Sequence, residues 1–182
     1  MSGAHVESHG EHNKGIALLI AVLALVLAFS ETLGKSAQTE ALDANIQASN
    51  LWSFFQAKTI RQTTLKTAAE QLEALAAGEA AKKQVEAWKK NAERYQSEPE
   101  TGEGRKELSA RAKKAEQRRD RAMTAYHHYE LASAAVQIGI VLASASIITA
   151  MPVLAWIAGA LGAIGAALCV VGFWFPAALH LV

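Results

Sequence analysis

Glu31 is the residue in this sequence best placed for chemistry, because it is an acid at the end of an apolar run. That run extends from Gly15 to Ser30 and contains no charged residue. A carboxylate within a membrane span is costly and commonly marks an ion or proton path, which Gln137 could extend from a second apolar run. The competing interpretation is structural. Glu31 precedes Lys35 by four residues, which suits an ion pair on one helix, and it can reach the membrane interface. We favour the structural interpretation.

Three histidines near the N-terminus form a candidate metal site. His5, His9 and His12 would share one face of a helix, and imidazoles at that spacing can bind zinc or copper. However, the tail formed by residues 1–14 has no apolar anchor, and such tails are commonly mobile. We therefore expect no bound metal. The sequence also has no nucleophile–base pairing and no nucleotide-binding loop, so we expect neither an enzyme nor a cofactor.

The C-terminal part of the chain determines the fold class. Residues 131–182 contain no Lys, Arg, Asp or Glu, and a Met-Pro pair at Met151 and Pro152 interrupts them. Each half is about long enough to cross a bilayer, which needs about 20 apolar residues in a helix. Together with the first apolar run, they predict an all-α integral membrane protein with three transmembrane helices, at residues 15–34, 132–150 and 153–175. Residues 176–182 would form a C-terminal tail.

The charged residues between the first two spans predict the orientation. Residues 35–131 hold 17 of the 18 Lys and Arg, and the segment 111–121 has six cations and two acids. Cations beside a span favour the cytoplasmic side, so we expect this insert in the cytoplasm. The run could also contact anionic lipid head groups. Nucleic acid is a less suitable partner, because acids interrupt the run and no aromatic residue lies within it. The proposed lipid contacts are Arg111, Lys113, Lys114, Arg118 and Arg121.

The insert is predicted to be a helical hairpin. A seam of mostly small and apolar residues runs from Ala37 to Ala76 in alternating steps of four and three, which is a coiled-coil period, and its positions include Lys58 and Gln62. The same period recurs further along the chain, at Val85 and Ala92 and at Leu108, Ala112 and Ala115. A chain reversal near Gly78 gives two arms of similar length. A second break, at residues 98–104, would kink the returning arm. The arms are rich in alanine, which buries little area, so packing of several hairpins in an oligomer is favoured.

Small residues also recur every four positions within the second and third spans. Such stripes let helices approach closely in lipid. They could pack the second span on the third within one subunit. An additional small face that includes Gly162 would then remain for another subunit. The residues of these packing stripes are Ala135, Gly139 and Ala143 in the second span, and Ala155, Gly159, Ala163 and Ala167 in the third.

Three long strings support a family resemblance. They read KSAQTEALDANIQASNLWSFFQAKTIRQT, SEPETGEGRKEL and YHHYELASAAVQIGIVLASASIIT. The sequence resembles a family of small bacterial inner-membrane proteins that is defined only as a domain of unknown function. The resemblance implies a bacterial origin, a multi-pass location in the inner membrane and the same three-span layout. It implies no activity and no functional residue.

These observations favour a structural role over transport. We expect a membrane scaffold that is homo-oligomeric or an accessory subunit of a larger membrane complex. Its partners would be the lipid bilayer, further copies of the chain and other membrane subunits. The alternative is a small ion or proton channel, or a transporter, that uses Glu31 and Gln137. The few polar residues along the spans are sparse for a pore, although backbone carbonyls could contribute.

Overall fold

The computed structural model describes residues 4–76 and 78–176, with side chains from residue 14 onward. Over this part of the chain the protein is all-α, as predicted, and contains no strand. Its four helices are α1 (Ala4–Leu75), α2 (Glu79–Gln96), α3 (Arg105–Thr149) and α4 (Pro152–Trp174).

The chain divides into two compact units. One comprises Met1–Ala41 and Asp120–Val182 and is called the apolar unit below. The other comprises Leu42–Arg119 and is called the charged unit. The helices α1 and α3 contribute to both, whereas α4 belongs to the apolar unit and α2 to the charged unit.

Three helices are long and apolar enough to cross a membrane, judged by length and composition. They lie within Lys14–Leu75, Arg105–Thr149 and Pro152–Trp174. In the apolar unit they share one cluster of buried residues, formed by Ile16 and Leu23 from α1, Val136 and Ala143 from α3, and Ala158 from α4. Small side chains on α3 and α4 let these helices approach closely.

A tight turn joins α3 to α4 in the apolar unit. Ala150 has a left-handed backbone (φ 54°), and Pro152 occupies the first turn of α4. Proline suits that position because it has no N–H to leave unpaired. The Ser146 hydroxyl donates a hydrogen bond to the carbonyl oxygen of Met151 (2.9 Å), which fixes the turn against the end of α3.

The charged unit is built around a chain reversal. Helix α1 ends at Leu75 and α2 begins at Glu79, with Gly78 at a positive φ of 146° between them. The chain then returns along α1. A contact between the two helices shows this: the Gln62 side-chain amide donates to the Ala92 carbonyl oxygen (2.9 Å). Residues 97–104 link α2 to α3. Most positions of the predicted seam in this unit are buried, namely Ala44, Ala48, Leu51, Lys58, Gln62, Ala69, Val85, Ala92, Leu108, Ala112 and Ala115.

Candidate functional site

A polar cleft lies between α1 and α3 in the apolar unit. It has a volume of about 480 Å³ and is called the boundary cleft below. It lies where the charge-free segments of both helices meet charged residues. Its lining comprises Ser30, Glu31, Gly34, Lys35 and Gln38 from α1, and Tyr126, Tyr129, Glu130, Ser133, Ala134 and Gln137 from α3.

The cleft brings together the side chains that the sequence proposed as a relay. The Gln137 side-chain amide donates to Glu31 Oε1 at 3.4 Å, and the hydroxyl oxygens of Ser30 and Ser133 are 2.8 Å apart. Ser30 donates its only hydroxyl proton to the Leu27 carbonyl oxygen (2.9 Å), so Ser133 is the donor to Ser30. Ser30 is fully buried, whereas Glu31 and Gln137 are exposed.

Two features of the cleft were missed by sequence reasoning. The first is Glu130, a second carboxylate whose Oε2 lies 3.6 Å from His127 Nδ1. The second is the close approach of the helices, because a Cβ added to Gly34 would lie 3.4 Å from Tyr129 Cβ. A signal for Glu130 was present: it immediately precedes the charge-free C-terminal segment, as Glu31 immediately follows the first apolar run.

A second polar cluster, called the ionic junction below, lies in the charged unit. At its centre is Lys58, which is only 6% exposed. The Lys58 ammonium lies 3.8 Å from Glu98 Oε2 and 3.6 Å from Glu103 Oε2. It also stands over the rings of Phe54 and Tyr95, at 5.3 and 5.2 Å from their centroids. A buried ammonium needs such partners, because its desolvation is otherwise uncompensated.

Arg105, the first residue of α3, connects the three helices of the charged unit. Its Nε donates to Thr59 Oγ1 on α1 at 2.9 Å, and its Nη1 donates to Gln96 Oε1 on α2 at 2.9 Å. Nη1 also donates to Gln62 Oε1. The guanidinium stands 5.0 Å from the centroid of the Phe55 ring. The planar fork of arginine suits such simultaneous contacts.

The α2–α3 link is locked by backbone contacts as well. The Glu107 carboxylate accepts hydrogen bonds from the Ser97 hydroxyl (2.7 Å) and the Glu98 backbone N–H (3.2 Å). The hydrogen bond from Ser97 is the main reason that the pKa of Glu107 lies below its ordinary value. A Cβ added to Gly104 would overlap the Glu98 nitrogen and lie 2.7 Å from Ser97 Cα, so the link requires glycine there.

Sequence reasoning treated the ionic junction as an ordinary seam and a loop. Lys58 and Gln62 were counted as positions of the apolar period, and the glycines before Arg105 as loop punctuation. The signal was that two long polar side chains interrupt a seam of alanine and leucine. Their hydrogen-bond and ion-pair partners lie 30 to 45 residues away along the chain, from Ala92 for Gln62 to Glu103 for Lys58, so the sequence alone could not assign them.

The packing stripe on α4 differs from the predicted one. Its buried residues are Ala158, Gly162, Gly165 and Gly172. A Cβ added to Gly162 would overlap the Leu23 side chain, so this face packs within the chain and is not left for another subunit, contrary to expectation. A Cβ added to Gly159 would meet nothing within 4 Å. The small face that does not pack within the chain comprises half-buried Gly159 with exposed Ala163 and Ala167, and it is called the exposed small face below.

The α3 stripe and the first residue of the α4 stripe do pack inside the apolar unit. Ala143 belongs to the buried cluster, and Ala155 packs against it. A Cβ added to Gly139 would lie 3.2 Å from the Ala158 carbonyl oxygen on α4. Ala135 is half-buried.

The remaining predicted site residues are placed as follows. The side chains of His5, His9 and His12 lie outside the described residues. Within the described part, no group of three or more metal-ligating side chains is found. The basic side chains proposed to contact lipid are all exposed, and one of them, Arg111, donates to the Gly102 carbonyl oxygen at 3.3 Å.

The fold and these two sites define an all-α protein with three apolar helices of membrane-spanning length and a charged helical hairpin. The family model described as Domain of unknown function (DUF4337) matches residues 12–175. The protein therefore belongs to this family. No curated protein and no solved structure matches the chain.

Proposed function

We propose that the protein is a multi-pass scaffold of the bacterial inner membrane, with the charged unit on the cytoplasmic side. Copies of the chain assemble with each other, or the chain serves as an accessory subunit of a larger membrane complex. The basic flank of residues 111–121 supports the orientation, because cations beside a span favour the cytoplasm. The spans support membrane insertion, since large apolar side chains such as Leu18, Val141 and Trp156 are exposed.

The observation that carries the assembly proposal is the exposed small face of α4. Of the 18 most apolar consecutive residues of this helix, only 17% are buried within the chain. Gly159, Ala163 and Ala167 leave a shallow surface along the helix, and such surfaces favour close helix–helix contact in lipid. A second subunit would bury this face without any change to the packing of Gly162 inside the chain.

Native mass spectrometry in several mild detergents tests the assembly. We expect the unmodified chain to form an oligomer or to retain a partner chain, and Gly159→Leu to shift it to smaller species. Ala160→Leu is the matched control, because it adds a similar side chain about 100° around the helix. Gly162→Leu should instead lower thermal stability, because it displaces Leu23. A strict monomer without a partner in every detergent would contradict the proposal.

Cysteine labelling tests the orientation separately. Gln84 is exposed on α2, so a cysteine there should react with an impermeant maleimide. We expect labelling only after cell lysis. Labelling in intact cells would place the charged unit on the opposite side of the membrane.

The alternative function is a small proton or ion channel, or a transporter. The hydrogen bond between Gln137 and Glu31 is the observation that favours it, because it joins two polar side chains at the end of the spans. Both side chains are exposed, however, so a path lined by them would need a further subunit to enclose it. Proton flux into liposomes that contain the protein, with Glu31→Gln as the comparison, distinguishes this function. Flux that depends on Glu31 would favour transport over the scaffold.

A further inference from the structure

We propose that the boundary cleft binds the head group of a zwitterionic aminophospholipid, a lipid that carries a primary ammonium and a phosphodiester. The proposal rests on the membrane location proposed above. It does not depend on the number of subunits, because every lining residue belongs to one chain.

The charges of the cleft match the two charges of such a head group. Glu31 and Glu130 supply two carboxylates that can accept hydrogen bonds from a primary ammonium, while Lys35 supplies a cation for the phosphodiester. Charge-assisted hydrogen bonds of this kind are stronger than neutral ones. Each carboxylate already has a neighbour, Gln137 for Glu31 and His127 for Glu130, so both are oriented before a ligand arrives.

The position of the cleft favours a lipid over a soluble amine. Ser30 and Ser133 line the end that adjoins the charge-free segments, whereas Lys35 and Glu130 line the end that adjoins the charged ones. Lipid head groups occupy this boundary in a bilayer, and the acyl chains would lie along the exposed apolar side chains nearby, such as Phe29 and Leu131. The cleft volume lies within the usual range for ligand sites, about 300–1,000 Å³.

The same charges disfavour an anionic lipid in the cleft. Two carboxylates and one ammonium would face a head group whose only charge is the phosphodiester. Anionic lipids are better suited to the exposed basic side chains between Arg111 and Arg121, where cations outnumber acids. The cleft and the basic run therefore differ in the class of lipid that each selects.

Lipid retention in native mass spectrometry is the direct test. The full-length protein is purified in a mild detergent and supplemented with equal amounts of phosphatidylethanolamine, phosphatidylcholine and phosphatidylglycerol. We expect phosphatidylethanolamine to be retained at least about fivefold over the other two, which corresponds to about 1 kcal/mol of preference. Phosphatidylcholine should be retained less, because its quaternary ammonium has no N–H to donate to Glu31 and Glu130.

Variants assign that preference to the cleft. Glu31→Gln and Glu130→Gln should each reduce it about threefold, which corresponds to about 0.65 kcal/mol. Glu70→Gln and Lys66→Gln, exposed changes in the charged unit, should leave it unchanged. Ala134→Phe tests the site without a charge change, since it fills the cleft. Its control is Ala28→Phe, which lies on α1 outside the lining.

Equal retention of the three lipids would overturn the head-group proposal, as would a preference that survives both Glu31→Gln and Ala134→Phe. The same spectra report the number of subunits. A monomer that retains phosphatidylethanolamine selectively would contradict the scaffold proposal and support the head-group proposal. An oligomer without lipid selectivity would support the scaffold and contradict the head-group proposal. Extraction of the protein from membranes by alkaline carbonate would contradict the membrane location on which both proposals rest.

Discussion

The apolar unit and the charged unit are both made of packed helices, but different side chains hold them together. In the apolar unit, glycines and alanines let the helices touch, and the polar contact that joins α1 to α3 there includes the small Ser30–Ser133 pair. In the charged unit, an alanine-rich seam is interrupted by Lys58 and Gln62, and these join an ionic junction with Arg105. One unit is fixed by shape and the other by directional polar contacts.

On the membrane location proposed above, the difference follows from what each kind of surface can do in its solvent. Apolar helices in lipid gain little from burying further apolar area, so close packing by small residues stabilises them. An alanine seam in water buries little area per residue, so it specifies the position of a third helix poorly. Lys58, Gln62 and Arg105 specify it instead, because each must find its hydrogen-bond partners when buried.

The largest expected effect comes from a substitution in the α2–α3 link, which carries Glu98 and Glu103 of the ionic junction. Gly104→Ala should destabilise the charged unit by about 3 kcal/mol, because the added methyl group overlaps the backbone of the α2–α3 link. Gly102→Ala is the control. It has a positive φ of 67°, and its added Cβ would meet only the Arg111 side chain at 4.0 Å, so it should cost about 1 kcal/mol. Hydrogen exchange of the α3 amides between Lys106 and Arg119 measures the difference. Equal effects of the two variants would contradict the tight contact.

The second-largest effect tests whether polar contacts fix the arrangement of the three helices in the charged unit. Arg105→Ala should cost about 2 kcal/mol, because Gln62 and Gln96 lose a charged donor. Lys106→Ala, an exposed neighbour, should change stability by less than about 0.5 kcal/mol. Local hydrogen exchange at the C-terminal end of α2 and at residues 58–62 provides the measurement. If both variants behave alike, the junction does not fix the three helices.

A smaller effect tests whether close packing of small residues holds the apolar unit together. Gly165→Ala should cost about 1 kcal/mol, because the new Cβ would lie 2.5 Å from Val136 Cγ2 and 3.1 Å from the Ala132 carbonyl oxygen. Gly159→Ala, on the exposed small face, adds the same methyl group where no atom lies within 4 Å. Thermal unfolding in detergent compares them. A lower midpoint for Gly159→Ala than for Gly165→Ala would reverse the assignment of the packing face.

The smallest effect concerns the pH dependence of the charged unit. The pKa of Glu107 is lower in the folded chain than its ordinary 4.5, so the ionised carboxylate stabilises the α2–α3 link. That contribution is fully present above about pH 4.5 and is lost as the pH falls through the folded pKa. Hydrogen exchange of the Glu98 amide between pH 6 and 3 measures it, after correction for the intrinsic exchange rate. Glu107→Gln should make the exchange rate of the Glu98 amide, so corrected, less dependent on pH. If the variant shows the same pH dependence as the unmodified chain, the stabilising role of the Glu107 carboxylate is contradicted.

The helices and their apolar or charged character could be read from the sequence with little error. The signals were local in the sequence: charge-free segments of span length, Pro152 after Met151, and Gly78 between two periodic segments. The breaks at Leu75–Glu79 and at residues 97–104 lie at the two predicted turns. The buried seam agrees with the period of alternating four and three, because that period follows from helix geometry alone.

What the sequence could not determine is which face of each helix meets which neighbour. The apolar helix α4 carries small residues on more than one face, so periodicity could not choose between Gly159 and Gly162. Only the position of Leu23 on α1 made the choice. The pairing of Arg105 with Thr59, and of Ser30 with Ser133, likewise joins residues 46 and 103 positions apart. Helix formation is local and is set by sequence, whereas these contacts depend on the packing of whole helices and exist only in the tertiary structure.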